Sequence, residues 1–187
     1  MPDARQAAAV GAGAADPART ESFEEFLASI ERRAYRFAEV ALGNREDALD
    51  AVQDSMIKLM GYREREPGEW TPLFWSILRN RIIDAQRRGM FSLRWLAPKA
   101  RNEDEPPDWA DHGADPARAQ EGREAYGRLA DGLRQLPRRQ REAFTLRVLE
   151  ELDGGTTARV MGCSEGAVKT HLSRARAALQ QELEDWR

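Results

Sequence analysis

Apolar residues in this chain recur at every third or fourth position, from Phe23, Phe26, Leu27 and Ile30 near one end to Val168 and Leu172 near the other. That period belongs to amphipathic helices, and no stretch alternates with the period of two that a half-buried strand requires. The chain is therefore all-α. Its helices are also punctuated. Ser22-x-x-Glu25 is a capping box, opening a helix with Phe23, Phe26, Leu27, Ile30, Ala34, Phe37, Ala38 and Ala41 on one face. Gly43 suits its stop. Asn44 caps a second helix, whose buried side reads Ala48, Leu49, Val52, Met56, Ile57, Leu59 and Met60 before Gly61 ends it. After the loop YREREPGEW, Thr71-Pro72 reads as a cap and first-turn pair for a third helix, with Gly89 marking its end. Leu73, Phe74, Ile77, Leu78 and Ile82 can face a core, while Arg79, Asn80, Arg81, Arg87 and Arg88 form a basic face interrupted by Asp84.

Composition changes between Met90 and about Gly113, where an acidic stretch with adjacent prolines, RNEDEPPDWADHGAD, reads as a tether. Asp115-Pro116 then caps a helix with Ala119, Tyr126, Leu129, Ala130 and Leu133 on its buried side. The expected divisions are a disordered tail over 1–20, a helical module over 21–89, the linker 90–114 and a second helical module over 115–187. The 187 residues suit two small domains, and a net charge of −3 argues against a tight, free-standing DNA binder. A single cysteine, Cys163, excludes a disulfide framework and a cysteine zinc cluster. No run reaches the ~18 apolar residues of a membrane span. The opening residues, with Asp3 and Asp16, make no convincing signal peptide, so the protein is read as cytoplasmic.

The second module contains the most informative stretch, Leu136 to Leu179. Thr156 to Met161 is a short helical run, Gly162-Cys163-Ser164 is a tight break, and a longer amphipathic helix begins at Glu165 with Ser164 as its cap. Ala158, Val160, Met161, Ala167, Val168 and Leu172 sit where two short helices would cross, with Ala158 and Gly162 small at a close approach. Lys169, Thr170, His171, Arg174 and Arg176 fall largely on other faces. This is a helix-turn-helix pattern whose second helix can enter a DNA major groove. Arg138, Arg139 and Arg141 crowd the first turn of the preceding helix. Cations are unfavourable at that positive pole, so they ask for an external anion such as phosphate.

Three segments, in this order, resemble the sigma-70 family of RNA polymerase sigma factors, in the small extracytoplasmic-function (group IV) class. DALDAVQDSMIKLM is similar to the helix that docks on polymerase. FWSILRNRIIDAQRR is similar to the helix that melts and reads the −10 element, and LPRRQREAF with the helix-turn-helix is similar to the −35-reading domain. One departure is Gly154-Gly155, where the family has acidic residues and an Ile; these glycines are expected to form a turn before the helix. The resemblance implies a non-catalytic protein, without cofactor or metal, that directs polymerase to promoters. Its implied partners are core RNA polymerase, promoter DNA and an anti-sigma protein.

Residue roles follow from the resemblance. Asp47, Asp50, Gln53 and Asp54 would bind core polymerase; three carboxylates on one straight helix are poorly arranged to surround an ion instead. Tyr62, Trp70, Trp75, Arg79, Asn80, Arg87 and Arg88 would meet the melted −10 strand by stacking, edge contacts and charge. Trp75 could equally belong to the core, and Asp84 reads as a structural partner. On the −35 duplex the candidates are Glu165, Lys169, Thr170, His171, Arg174 and Arg176; Lys169 and His171 would lie near base edges, with Arg174, Arg176, Arg138, Arg139 and Arg141 towards phosphates. The acidic linker either mimics nucleic acid in a polymerase channel or is a plain tether. The rival reading is a helix-turn-helix regulator that binds duplex DNA without polymerase. It lacks the receiver or ligand domain such a protein needs.

Overall fold

The computed structural model describes residues 22–93 and 116–184, with side chains placed over 22–88 and 126–181. Helices are the regular elements throughout the described residues. Helix α1 spans Phe23–Leu42, and its capping box is formed in both directions, Glu25 N to Ser22 Oγ at 3.1 Å and Ser22 N to Glu25 Oε2 at 3.0 Å. It ends at Gly43, whose φ of 67° is the left-handed conformation that a side chain disfavours. Helix α2, Arg45–Met60, is capped by Asn44, which accepts from Asp47 N at 3.0 Å.

Helix α3 spans Pro67–Leu93, longer at both ends than the punctuation implies. Pro67, not Pro72, takes the first-turn position. Pro72 lies inside the helix, where its missing N–H leaves one carbonyl of the preceding turn without its helical bond. Gly89 does not stop the helix either. A lone glycine only weakens a helix by about 1 kcal/mol, less than neighbouring turns can supply.

The second module comprises α4 (Pro116–Gln135), α5 (Arg138–Phe144), α6 (Gly154–Met161) and α7 (Glu165–Glu184). Between α5 and α6 the chain widens into a π-helical turn, Thr145–Leu149, closed by Glu150 N to Thr145 O at 2.9 Å. Glu151 then takes a left-handed φ of 53°. The expected start of α6 at Thr156 is two residues late. Asp153 caps the helix, and Gly154 and Gly155 form its first turn. At Gly162 the φ of 62° explains the glycine, and open space around its missing Cβ rules out the expected close approach.

The two modules are not held apart. They pack face to face, α6 along α3 and α4 against α1, so that one apolar cluster runs from Phe26, Leu59 and Phe74 into Leu146, Met161 and Val168. A second cluster joins Val40 of α1 to Ala130, Leu133, Leu136, Ala175 and Leu179. Val40 lies off the apolar stripe read for α1, because this helix buries a second face under the other module. The buried arc of α3 is wide because α1, α2 and α6 all pack on it: Trp70, Phe74, Trp75, Ile77, Leu78, Arg79 and Ile82 are all enclosed.

Candidate functional site

Asp47, Asp50, Gln53 and Asp54 are all exposed on the outer face of α2. The core side of this helix is a narrower stripe than the sequence suggests: Ala48, Ala51, Val52, Ser55 and Leu59. Leu49, Ile57 and Met60, expected inside, are instead 48%, 60% and 54% exposed. The small residues explain this, since Ala and Ser let α2 sit close to α1 and α3 and roll its larger side chains outward. Leu49, Gln53, Ile57 and Met60 follow each other at spacings of four, four and three, so they line one strip of the surface. Asp50 and Asp54 edge it. Exposed apolar residues rimmed by charge mark an interaction surface. The signal was present in the sequence as that spacing. Asp54 also holds Arg81 of α3 at 3.6 Å, an exposed pair.

The candidates for the melted strand divide into two groups. Asn80, Arg87 and Arg88 are exposed and share one face of α3 with Asp84, which lies 3.9 Å from Arg87. Tyr62 is partly exposed, and the Arg65 guanidinium lies 5.7 Å above its ring. Trp70 and Trp75, by contrast, are 4% and 0% exposed and are core residues. Trp70 packs edge-on to Phe23 at 5.1 Å, and Trp75 likewise on Phe37 at 5.3 Å. Both are therefore withdrawn as stacking platforms. Arg79 is buried too. Its Nε lies 3.1 Å from Glu142 Oε2 of the other module.

Glu142 is the hub of the seam between the modules. Besides Arg79, its carboxylate draws Arg138 at 3.8 Å and Arg139 at 3.8 Å. Arg139 also donates to the carbonyl of Met161 at the end of α6. Arg141 turns inward, donating to Arg134 O at 3.3 Å and, across the seam, to Val40 O at 3.5 Å. Burial holds its guanidinium below the ordinary arginine value. The anion these arginines require is thus supplied from within, by one carboxylate and three carbonyls. Arg141 is withdrawn as a phosphate contact, while Arg138 and Arg139 keep about two fifths of their side chains exposed (41% and 39%). A second tie crosses the seam where Arg33 of α1 donates to Glu150 Oε2 at 2.7 Å and to Glu150 O at 3.1 Å. Desolvation raises the Glu150 carboxyl despite the attraction of Arg33.

The helix-turn-helix is built as its caps require. Asp153 accepts from Thr156 N at 2.8 Å and from Thr156 Oγ1 at 2.7 Å, and these bonds hold its carboxyl below the ordinary carboxylate value. Ser164 caps α7 by accepting from Ala167 N at 3.2 Å. Lys169, Thr170, Arg174 and Arg176 are exposed on the outer surface of α7, while Val168, Ala175 and Leu179 anchor its inner side. Thr170 Oγ1 donates to Gly166 O at 3.0 Å, and His171 is half-buried. Glu165 lies over the start of α6: a Cβ on Gly154 would come within 3.3 Å of its Oε2. Its carboxylate therefore bridges the two helices of the motif and faces the positive pole of α6.

The family model described as Sigma-70 region 2 matches residues 22–90, and that described as Sigma-70, region 4 matches residues 126–179. The RNA polymerase sigma-E factor of Streptomyces avermitilis is 32% identical over 165 residues, covering 87% of this chain and 85% of that protein. The protein of the same name from Streptomyces coelicolor is 31% identical over 164 residues, covering 86% and 85%. Among solved structures, the sigma factor RpoE in complex with the anti-sigma factor NepR from Bartonella quintana superposes with a TM-score of 0.68 at 25% identity, covering 87% of this chain and 96% of that one.

Proposed function

The chain belongs to the sigma-70 family of RNA polymerase sigma factors, in its extracytoplasmic-function class, and on that premise we propose how its surfaces divide the work of promoter-specific transcription initiation. A sigma factor brings core polymerase to promoter DNA. The first module, residues 21–89, docks on core polymerase and engages the −10 element. The second, residues 115–187, reads the −35 element, and 90–114 tethers them; Met90 to Leu93 of that stretch continue α3, while the rest of the linker and the tail 1–20 lie outside the described residues.

The observation that supports this division is the placement of two unlike surfaces at separate sites. On α2, Leu49, Ile57 and Met60 with Asp47, Asp50, Gln53 and Asp54 offer an apolar strip with an acidic edge. That composition fits a basic, partly apolar helical surface of polymerase and repels DNA. On α7, Lys169, Thr170, Arg174 and Arg176 offer the opposite charge to a major groove. Lys169, Thr170 and His171, one turn into α7, are assigned to base edges; Arg174 and Arg176, with Arg138 and Arg139, to phosphates. Glu165 is assigned to the junction of α6 and α7 rather than to a base. Asn80, Arg87, Arg88 and Tyr62 are assigned to the separated −10 strand, where Asn pairs well with an adenine edge.

An anti-sigma protein is the remaining proposed partner. The resemblance to a sigma factor held by such a protein supports it, because the likeness spans both modules. Run-off transcription tests the function as a whole. Core polymerase with this protein should initiate at promoters in randomised DNA that core alone ignores. Binding of duplex DNA with no polymerase-dependent initiation would instead favour the regulator reading.

A further inference from the structure

His171 stands on a border of α7. Val168, three residues before it, and Ala175, four residues after it, are buried, whereas Arg174, three residues on, is exposed. The imidazole is half-buried as a result, and its two nitrogens have different surroundings. Nδ1 is enclosed and has no hydrogen-bond partner. Nε2 is not enclosed with it, and among the described residues it bonds to nothing. One edge of the ring therefore faces protein, and the other faces the molecule that α7 meets.

That asymmetry decides which nitrogen carries the proton of the neutral ring. In neutral imidazole one nitrogen donates and the other accepts. A proton on Nδ1 would be an N–H buried without an acceptor, at the full desolvation cost of that donor. A lone pair left there is the lesser loss, since orphaned N–H groups are rarer in protein interiors than under-satisfied acceptors. The proton therefore sits on Nε2, and the open edge of the ring offers one donor and no acceptor. The major groove sorts bases by this property. Guanine presents O6 and N7 as acceptors, adenine N7 and thymine O4, whereas cytosine presents only its N4 amino donor.

We propose that His171 is a donor-only specificity residue: its Nε2–H reads an acceptor on one base edge of the −35 element and excludes cytosine at that position. The inference rests on the assignment of α7 to the −35 duplex, and adds to it the chemistry of one contact. One neutral hydrogen bond corresponds to about fivefold in binding. Cytosine should therefore be depleted about fivefold at the position that His171 meets. Gln at 171 would bring an amide that both donates and accepts. It tests the donor-only property and not merely the presence of a contact.

Two measurements on the full chain test this. The chain has a second histidine, His112, so a His112→Gln background leaves His171 alone. Nitrogen–proton NMR correlations of that ring at about pH 8 should show a bare Nδ1 and a protonated Nε2. The opposite tautomer overturns the proposal. Core polymerase with each variant then selects from duplexes randomised through the −35 region. The parent should deplete cytosine about fivefold at one position. His171→Ala should erase the preference there alone, and survival of the remaining pattern shows that α7 is folded. His171→Gln should keep the acceptor bases and readmit cytosine. A pattern unchanged in His171→Ala, or an even loss across all sequences, overturns the proposal and leaves the −35 reading standing. A His171→Gln chain that still rejects cytosine overturns the donor-only assignment. A parent with no base preference at any randomised position overturns the −35 reading itself, and the proposal with it.

Discussion

Ile57→Ala separates a docking residue from a core residue. Ile57 is 60% exposed on α2, so the folded chain gains little from it. Fully burying an aliphatic side chain is worth about 1.5–3 kcal/mol, and the exposed three fifths of Ile57 leaves about 1–1.5 kcal/mol to be gained when a partner covers it. Truncation to Ala should weaken binding to core polymerase by about 5- to 10-fold. The free chain should not suffer. Ala is the better helix former by a few tenths of a kcal/mol, so the melting temperature should stay level or rise slightly. Titration of labelled protein with core polymerase gives the first quantity, and thermal unfolding followed by circular dichroism gives the second. Asp50→Asn adds an internal control, because its effect should shrink with salt whereas that of Ile57→Ala should persist. Unchanged affinity in Ile57→Ala would refute the strip as a docking surface. A melting temperature lower by several degrees would show that Ile57 is packed after all.

Three further outcomes are expected. Lys169→Ala should alter base preference in the −35 element, while Arg176→Ala should weaken binding evenly across sequences and reduce its salt slope by about one; randomised-promoter selection and salt titration measure both. The Asp153 carboxyl is depressed by its bonds to Thr156, so its contribution to the stability of α6 is full above the ordinary carboxylate value of 3.8. It is lost as pH falls from there through the lower folded value, and hydrogen exchange at Thr156 and Thr157 should show the acid limb that Asp153→Asn flattens. Gly154→Ala should raise stability by about 0.5 kcal/mol, since only the flexible end of Glu165 lies in its way; a fall in denaturant midpoint would contradict this.

The fold class and the helix-turn-helix were legible because they depend on local rules. Ser22, Asn44, Gly43 and Ser164 each act through bonds spanning a few residues, and the sequence displays both ends of those bonds. Helix α3 was misread because two local signals competed: Thr71-Pro72 imitates a helix start, yet Pro67 supplies an earlier one and tertiary burial of Trp70 holds the added turn in place. The −10 candidates were misjudged where aromatic residues suit stacking and core packing equally. Composition cannot separate these uses. Trp70 and Trp75 were decided by Phe23 and Phe37, which lie far away in sequence.

The arginines of α5 show why charge alone could not locate the DNA face. Crowded at a helix start, Arg138, Arg139 and Arg141 demand an anion, which the sequence alone places outside the protein. Its answer lay partly three and four residues ahead, in Glu142, within reach of Arg139 and Arg138 on the same helix. The rest of the answer came from the Met161 carbonyl, distant in sequence but within the same module, and from the Val40 carbonyl across the seam. The same carboxylate then draws Arg79 into the seam. Arg79 is enclosed there, out of reach of any partner from solvent. The exposed cations of α7, Lys169, Arg174 and Arg176, are by contrast open to solvent in the structure.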